Sequence, residues 1–63
     1  MAKTSYYFTA RPGAFNRDCQ IIQIGPADSL TQTALRWAQT NGYDNVYVYD
    51  MNHQPVTKYE RIM

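Results

Sequence analysis

Only one stretch of this chain, Ser29 to Asn41 (SLTQTALRWAQTN), repeats its apolar residues at helical spacing; the remaining apolar segments are short and alternate with a period of two. Leu30, Ala34, Trp37, Ala38 and Asn41 fall on one stripe at about 100° per residue, with Leu35 at its margin and Arg36 and Gln39 turned to water. Ser29 is the expected N-cap and Gln32, three residues on, completes a capping box. Asp28 suits the positive end of the helix dipole, and Gly42 is the expected terminator. A lone helix has to bury its stripe against something, and here only strands are available.

Four strands are expected. Thr4 to Ala10 (TSYYFTA) places Tyr6, Phe8 and Ala10 on one face with Ser5, Tyr7 and Thr9 on the other. The loop Arg11 to Arg17 follows, its Pro12-Gly13 pair carrying the chemistry of a turn. Asp18 to Ile24 (DCQIIQI) is the second strand. Its adjacent Ile21 and Ile22 point to opposite faces unless a bulge intervenes, and the preferred assignment turns Ile22 and Ile24 inward. After Gly25-Pro26 and the helix, Asn45 to Asp50 (NVYVYD) alternates strictly, so that Val46 and Val48 face the helix and Tyr47 and Tyr49 stand opposite. A polar turn, Met51 to Gln54, leads to Val56 to Ile62, with Thr57, Tyr59 and Arg61 on one side and Val56, Lys58, Glu60 and Ile62 on the other. The order ββαββ with short connections implies an α+β fold, a four-stranded antiparallel sheet with one helix on one face.

At 63 residues the chain is expected to form one domain over its whole length, 1–63, because a chain of this size buries only about 60% of its unfolded surface and supports one core. Six Lys/Arg against five Asp/Glu, dispersed along the chain, give a net charge of +1, which is not the clustered basic excess of a dedicated nucleic-acid binder. With Cys19 as the one cysteine, no intrachain disulfide forms, and no metal or cofactor site is expected. No secretory signal and no apolar run long enough to span a membrane is visible, so a reducing, cytoplasmic setting is the expectation.

On this reading the sheet face away from the helix displays Tyr7, Tyr47, Tyr49 and Tyr59, with Thr57 and Arg61 beside them. Tyrosine suits contact surfaces, since it buries much area at little rotamer cost; cross-strand tyrosines also stabilise small sheets, at roughly 0.2–1 kcal/mol a pair. The 11–17 loop adds Arg11, Phe15 and Arg17, a pairing of guanidinium and aromatic common at binding hot spots. In the alternative, Phe15 folds back to cap the core and both arginines are solvated. His53 and Cys19 exhaust the imidazole and thiol inventory. Cys19 opens an apolar strand and reads as a small buried hydrophobe rather than a nucleophile, and no phosphate loop, carboxylate pair or ligand cluster is present.

Ser29 to Asp50 followed by MNHQPV is similar to a pattern of small bacterial and phage proteins, in which a helix ending in Gly leads to a strand and a turn of the form V-Y-D-x-N-x-x-x-V. In size and outline the chain also resembles phage and mobile-element accessory proteins that inhibit host machinery, of the anti-CRISPR or host-enzyme-inhibitor type. The resemblance implies a non-enzymatic protein-binding module that blocks a host enzyme. The residues themselves leave two other partners open. One is single-stranded nucleic acid stacked on the tyrosines; the other is a second copy of the chain, making a homodimer.

Overall fold

The computed structural model describes residues 3–15 and 19–62. It has strands β1 (Thr4–Thr9) and β2 (Cys19–Ile24), helix α1 (Leu30–Asn41), and strands β3 (Val46–Tyr49) and β4 (Pro55–Tyr59). The strands form one antiparallel sheet in the order β2-β1-β3-β4, covered by α1 on one face, the α+β arrangement expected from the element order. Because β2 and β3 both run antiparallel to β1, they are parallel to each other. Such a pair needs a crossover, and α1 supplies it, carrying the chain across β1.

The helix begins and ends as its sequence requires. Ser29 is extended (φ −91°, ψ 118°), and its hydroxyl accepts from the Gln32 backbone N–H at 3.2 Å. At the far end Gly42 is left-handed (φ 77°); its N–H bonds to the Gln39 carbonyl and that of Tyr43 to Ala38, while the Tyr43 ring packs 5.4 Å from Trp37. These are the two bonds and the apolar contact of a Schellman motif.

Phe8, Ile24, Ala34, Ala38, Val46 and Val48 make the core between helix and sheet. Ala34 and Ala38 are fully buried, their small side chains letting the helix approach the sheet. Trp37 meets Phe8 edge-on at 5.9 Å and donates its indole N–H to Gln20 Oε1 on β2. Asn41, expected on the buried stripe, is exposed and donates to the Trp37 carbonyl instead.

One strand keeps its preferred facing and one does not. The β1–β2 register is unbroken, so no bulge separates Ile21 from Ile22; Ile22 packs toward the core and Ile21 stands 51% exposed on the other face. The irregularity lies in the last hairpin, where Val48 pairs with Thr57 but Tyr49 pairs with Pro55, leaving Val56 extra. Pairing of Val46 with Tyr59 then puts Tyr59 on the helix side, where its ring packs on the core and its hydroxyl bonds to Thr31 Oγ1 at 2.7 Å. The expected placement of Tyr59 and Thr57 on the helix-free face is therefore corrected, and Val56 and Lys58 take their places there.

The strand also ends sooner than its alternation implies. After Tyr59 the backbone turns, with Arg61 at φ 57°, its N–H held by Asn45 Oδ1, and the Ile62 N–H bonded to the Asp44 carbonyl. This turn brings Ile62 back onto the core and leaves Arg61 exposed beyond the end of the sheet rather than on its face. Among the described residues no helix is long and apolar enough to cross a membrane.

Candidate functional site

The helix-free face is built on the row Ile21–Tyr7–Tyr49, three side chains that adjacent strands place abreast, with Thr9–Tyr47–Lys58 as the next row. Its centre is not bare. Arg11 to Ala14 form a turn closed by the Ala14 N–H on the Arg11 carbonyl, with Pro12 and then a left-handed Gly13 (φ 72°) at its corners. That is a type II turn on the residues that favour one. The Gly13 N–H donates to the Tyr49 hydroxyl at 3.2 Å, pinning the loop tip to β3.

Pinned there, the loop lays Phe15 on the sheet. Its ring meets Tyr7 edge-on at 5.3 Å and Tyr49 at 4.9 Å, and stacks on His53 at 4.0 Å with the planes 9° apart. His53 also meets Tyr7 edge-on at 5.1 Å. The imidazole reaches this position because Asp50 organises its turn: Asp50 Oδ1 accepts from the Asn52 and Gln54 N–H groups, its carbonyl takes the His53 N–H, and His53 is left-handed (φ 64°). Thr9 lies fully buried under this cover, its hydroxyl donating to the Arg11 carbonyl. A second, aromatic packing layer thus occupies the middle of the face.

What remains open lies to one side. A cleft of about 400 Å³ runs between Pro12 on the loop and β4, floored by Tyr47 and Tyr49 and walled by Pro55, Val56 and Lys58. Val56 is 43% exposed there. The Tyr47 hydroxyl donates to Glu60 Oε2 at 3.2 Å, and Glu60 makes a loose, exposed ion pair with Lys58 at 3.8 Å. Partial desolvation, then the bond to the Glu60 carboxylate and its charge, and lastly Tyr49, hold the Tyr47 phenol above the ordinary tyrosine range. The cleft is thus apolar on its floor and charged along one rim.

The expected partner-binding residues are dispersed by this arrangement. Tyr47 and Tyr49 line the cleft; Tyr7 and Phe15 sit in the aromatic layer beside it; Arg11 is exposed at the base of the loop turn. Tyr59 faces the helix and Arg61 lies past the sheet, while Arg17 falls outside the described residues. Pro12 belongs to the 11–17 loop expected to take part in binding, while sequence reasoning missed His53, Pro55, Val56 and Lys58. Only Pro55 carried a usable signal, since a proline at a strand start favours an edge and a bulge. Cys19 is half-buried beside Thr9, and burial pushes its thiol above the usual cysteine value, which disfavours the nucleophilic thiolate. Among the described residues no three of His, Cys, Asp and Glu come together as metal ligands.

The fold and face define a small α+β protein with a helix-backed antiparallel sheet and an aromatic, partly covered outer surface. No protein-family model, curated protein or solved structure matches the chain.

Proposed function

We propose that this is a non-enzymatic protein-binding module whose contact surface is the cleft between the Pro12 turn and β4. The observation that carries the reading is the pair of phenol rings of Tyr47 and Tyr49, side by side at the floor of an open, proline-walled recess. Residues i and i+2 of a strand lie about 7 Å apart, so the floor fits an extended segment laying successive apolar side chains along it. The phenol hydroxyls and Lys58 supply polar contacts at the rim, the distribution usual for protein interfaces. Resemblance in size and outline to small inhibitors of host machinery gives the binding a purpose, since a domain seated on an enzyme's surface blocks it.

Base stacking is the less favoured use of the same rings. Glu60 places a carboxylate on the Tyr47 hydroxyl, and the chain's net charge of +1 leaves little attraction for a phosphate backbone.

The test is selection of displayed peptides on the wild-type protein, followed by titration of the selected peptides and of a short oligothymidine against wild type and a Tyr47→Ala/Val56→Lys variant. Peptides that bind wild type and lose at least about tenfold on the variant, a difference of about 1.4 kcal/mol, support the reading. Equal binding to both proteins overturns it, as does salt-sensitive binding of the oligonucleotide without any peptide binding.

A further inference from the structure

The two edges of the sheet are protected very differently. β4 opens with Pro55, is bulged at Val56 and carries the charged Lys58, three devices that discourage another strand from adding to it. β2 has none of them. Its six residues, CQIIQI, contain no charge and no proline, keep an unbroken register with β1, and have a strand neighbour on one side only. Among the described residues, Ile21 on this edge is the most exposed large hydrophobic side chain, at 51%.

We infer that β2 pairs antiparallel with β2 of a second copy about a twofold axis at Ile21, joining two four-stranded sheets into one continuous sheet. This inference does not rest on the cleft. A twofold axis normal to the sheet keeps the helices of both copies on the same side, so paired residues must share a face and the axis must pass through a residue position rather than between two. Centring it on Ile21 sets the two exposed isoleucines against each other. The row Tyr49–Tyr7–Ile21 then continues unbroken into Ile21–Tyr7–Tyr49 of the second copy. Because the far edges are both β4, assembly closes at two copies instead of running on as a fibre. One short strand pair buries little area by the standard of permanent dimers, so the association is concentration-dependent. It supplements a core of only six buried apolar residues among those described.

Sedimentation velocity of the purified protein from micromolar to millimolar concentration is the first test, and a monomer–dimer equilibrium is expected. Ile21→Lys, checked for folding by circular dichroism, sets like charges opposite each other and is expected to weaken the dimer at least about tenfold. Met51→Lys, at a similarly exposed residue in a distant turn, leaves it unchanged. If Ile21→Lys fails to fold, the register is read by cross-linking in a Cys19→Ser background. Ile21→Cys forms an intermolecular disulfide under mild oxidation, because directly opposed Cα atoms lie about 4.5–5.5 Å apart. Gln23→Cys, about 13 Å from its symmetry mate in this register, does not. A monomer at every concentration overturns the inference. So does a dimer that survives Ile21→Lys but dissociates on Tyr47→Ala, which would be pairing through the sheet face, or cross-linking of Gln23→Cys in place of Ile21→Cys.

Discussion

Tyr47 and Glu60 show how one contact sets a measurable property. The folded protein holds the Tyr47 proton more tightly than the unfolded chain does, so the stability this contributes is complete below the unfolded tyrosine value of about 10 and is lost as pH rises through the higher folded value. Absorbance titration of the tyrosines in the folded protein is expected to show a late-ionising group that Tyr47→Phe removes and Glu60→Gln brings earlier. Unchanged curves in both variants would mean the bond to Glu60 does not form in solution. Phe15 is a second case. It touches Tyr7 and Tyr49 edge-on and stacks on His53, and edge-to-face pairs are worth about 0.5–1.5 kcal/mol each beyond burial. Phe15→Ala should therefore cost roughly 1–3 kcal/mol in urea denaturation and move the His53 ring resonances out of their stacked environment. Of the two alternatives legible for that loop aromatic, projecting or folding back to cap the core, the structure takes neither: Phe15 lies on the helix-free face over Tyr7 and Tyr49. Where it lands depends on Tyr49 and His53, far along the chain, which no local pattern of RPGAFNR encodes.

At the scale of elements the helix was the most legible part of the molecule, because its stop and start signals act locally. Gly42 tests this: a Cβ there would meet nothing within 4 Å, so the cost of Gly42→Ala is that of holding an L-residue at φ 77°, about 1 kcal/mol. Ser29→Ala should cost about the same by leaving the Gln32 N–H without its side-chain acceptor. Matching denaturation curves for either variant and wild type would show that the cap is not stabilising. The strands were legible in number and order but not always in facing. β1 and β3 turned the expected residues inward, since each alternates without interruption, and β2 took its preferred facing because its register with β1 is unbroken. In β4 a single extra residue opposite Tyr49 reversed the parity, moving Thr57 and Tyr59 to the helix side and Val56 and Lys58 to the other. A bulge leaves no signature in a period-two pattern, because the pattern is equally regular in either facing.

For the molecule as a whole, the helix-side core and the proposed contact cleft lie on opposite faces of one sheet. Phe8 is fully buried at the centre of the helix-side core, and Phe8→Ala is expected to cost about 3–5 kcal/mol, comparable to the entire stability of a domain this small. Loss of the cooperative thermal transition is the expected result, and a shift of only a few degrees would contradict this account of the core. Val56→Lys, on the far face and 43% exposed, should leave that transition nearly unchanged while altering the cleft. Taken alone, the sequence determined the element order, the helix and its caps, and the inward side of β1 and β3, because propensity, capping and alternation act over a few residues. Tertiary structure decided which tyrosines remain outside, how the loop covers the face and which sheet edge is left unguarded. Each of those depends on pairings between distant residues, such as Gly13 with Tyr49 and Val46 with Tyr59, whose register follows from packing the whole sheet at once.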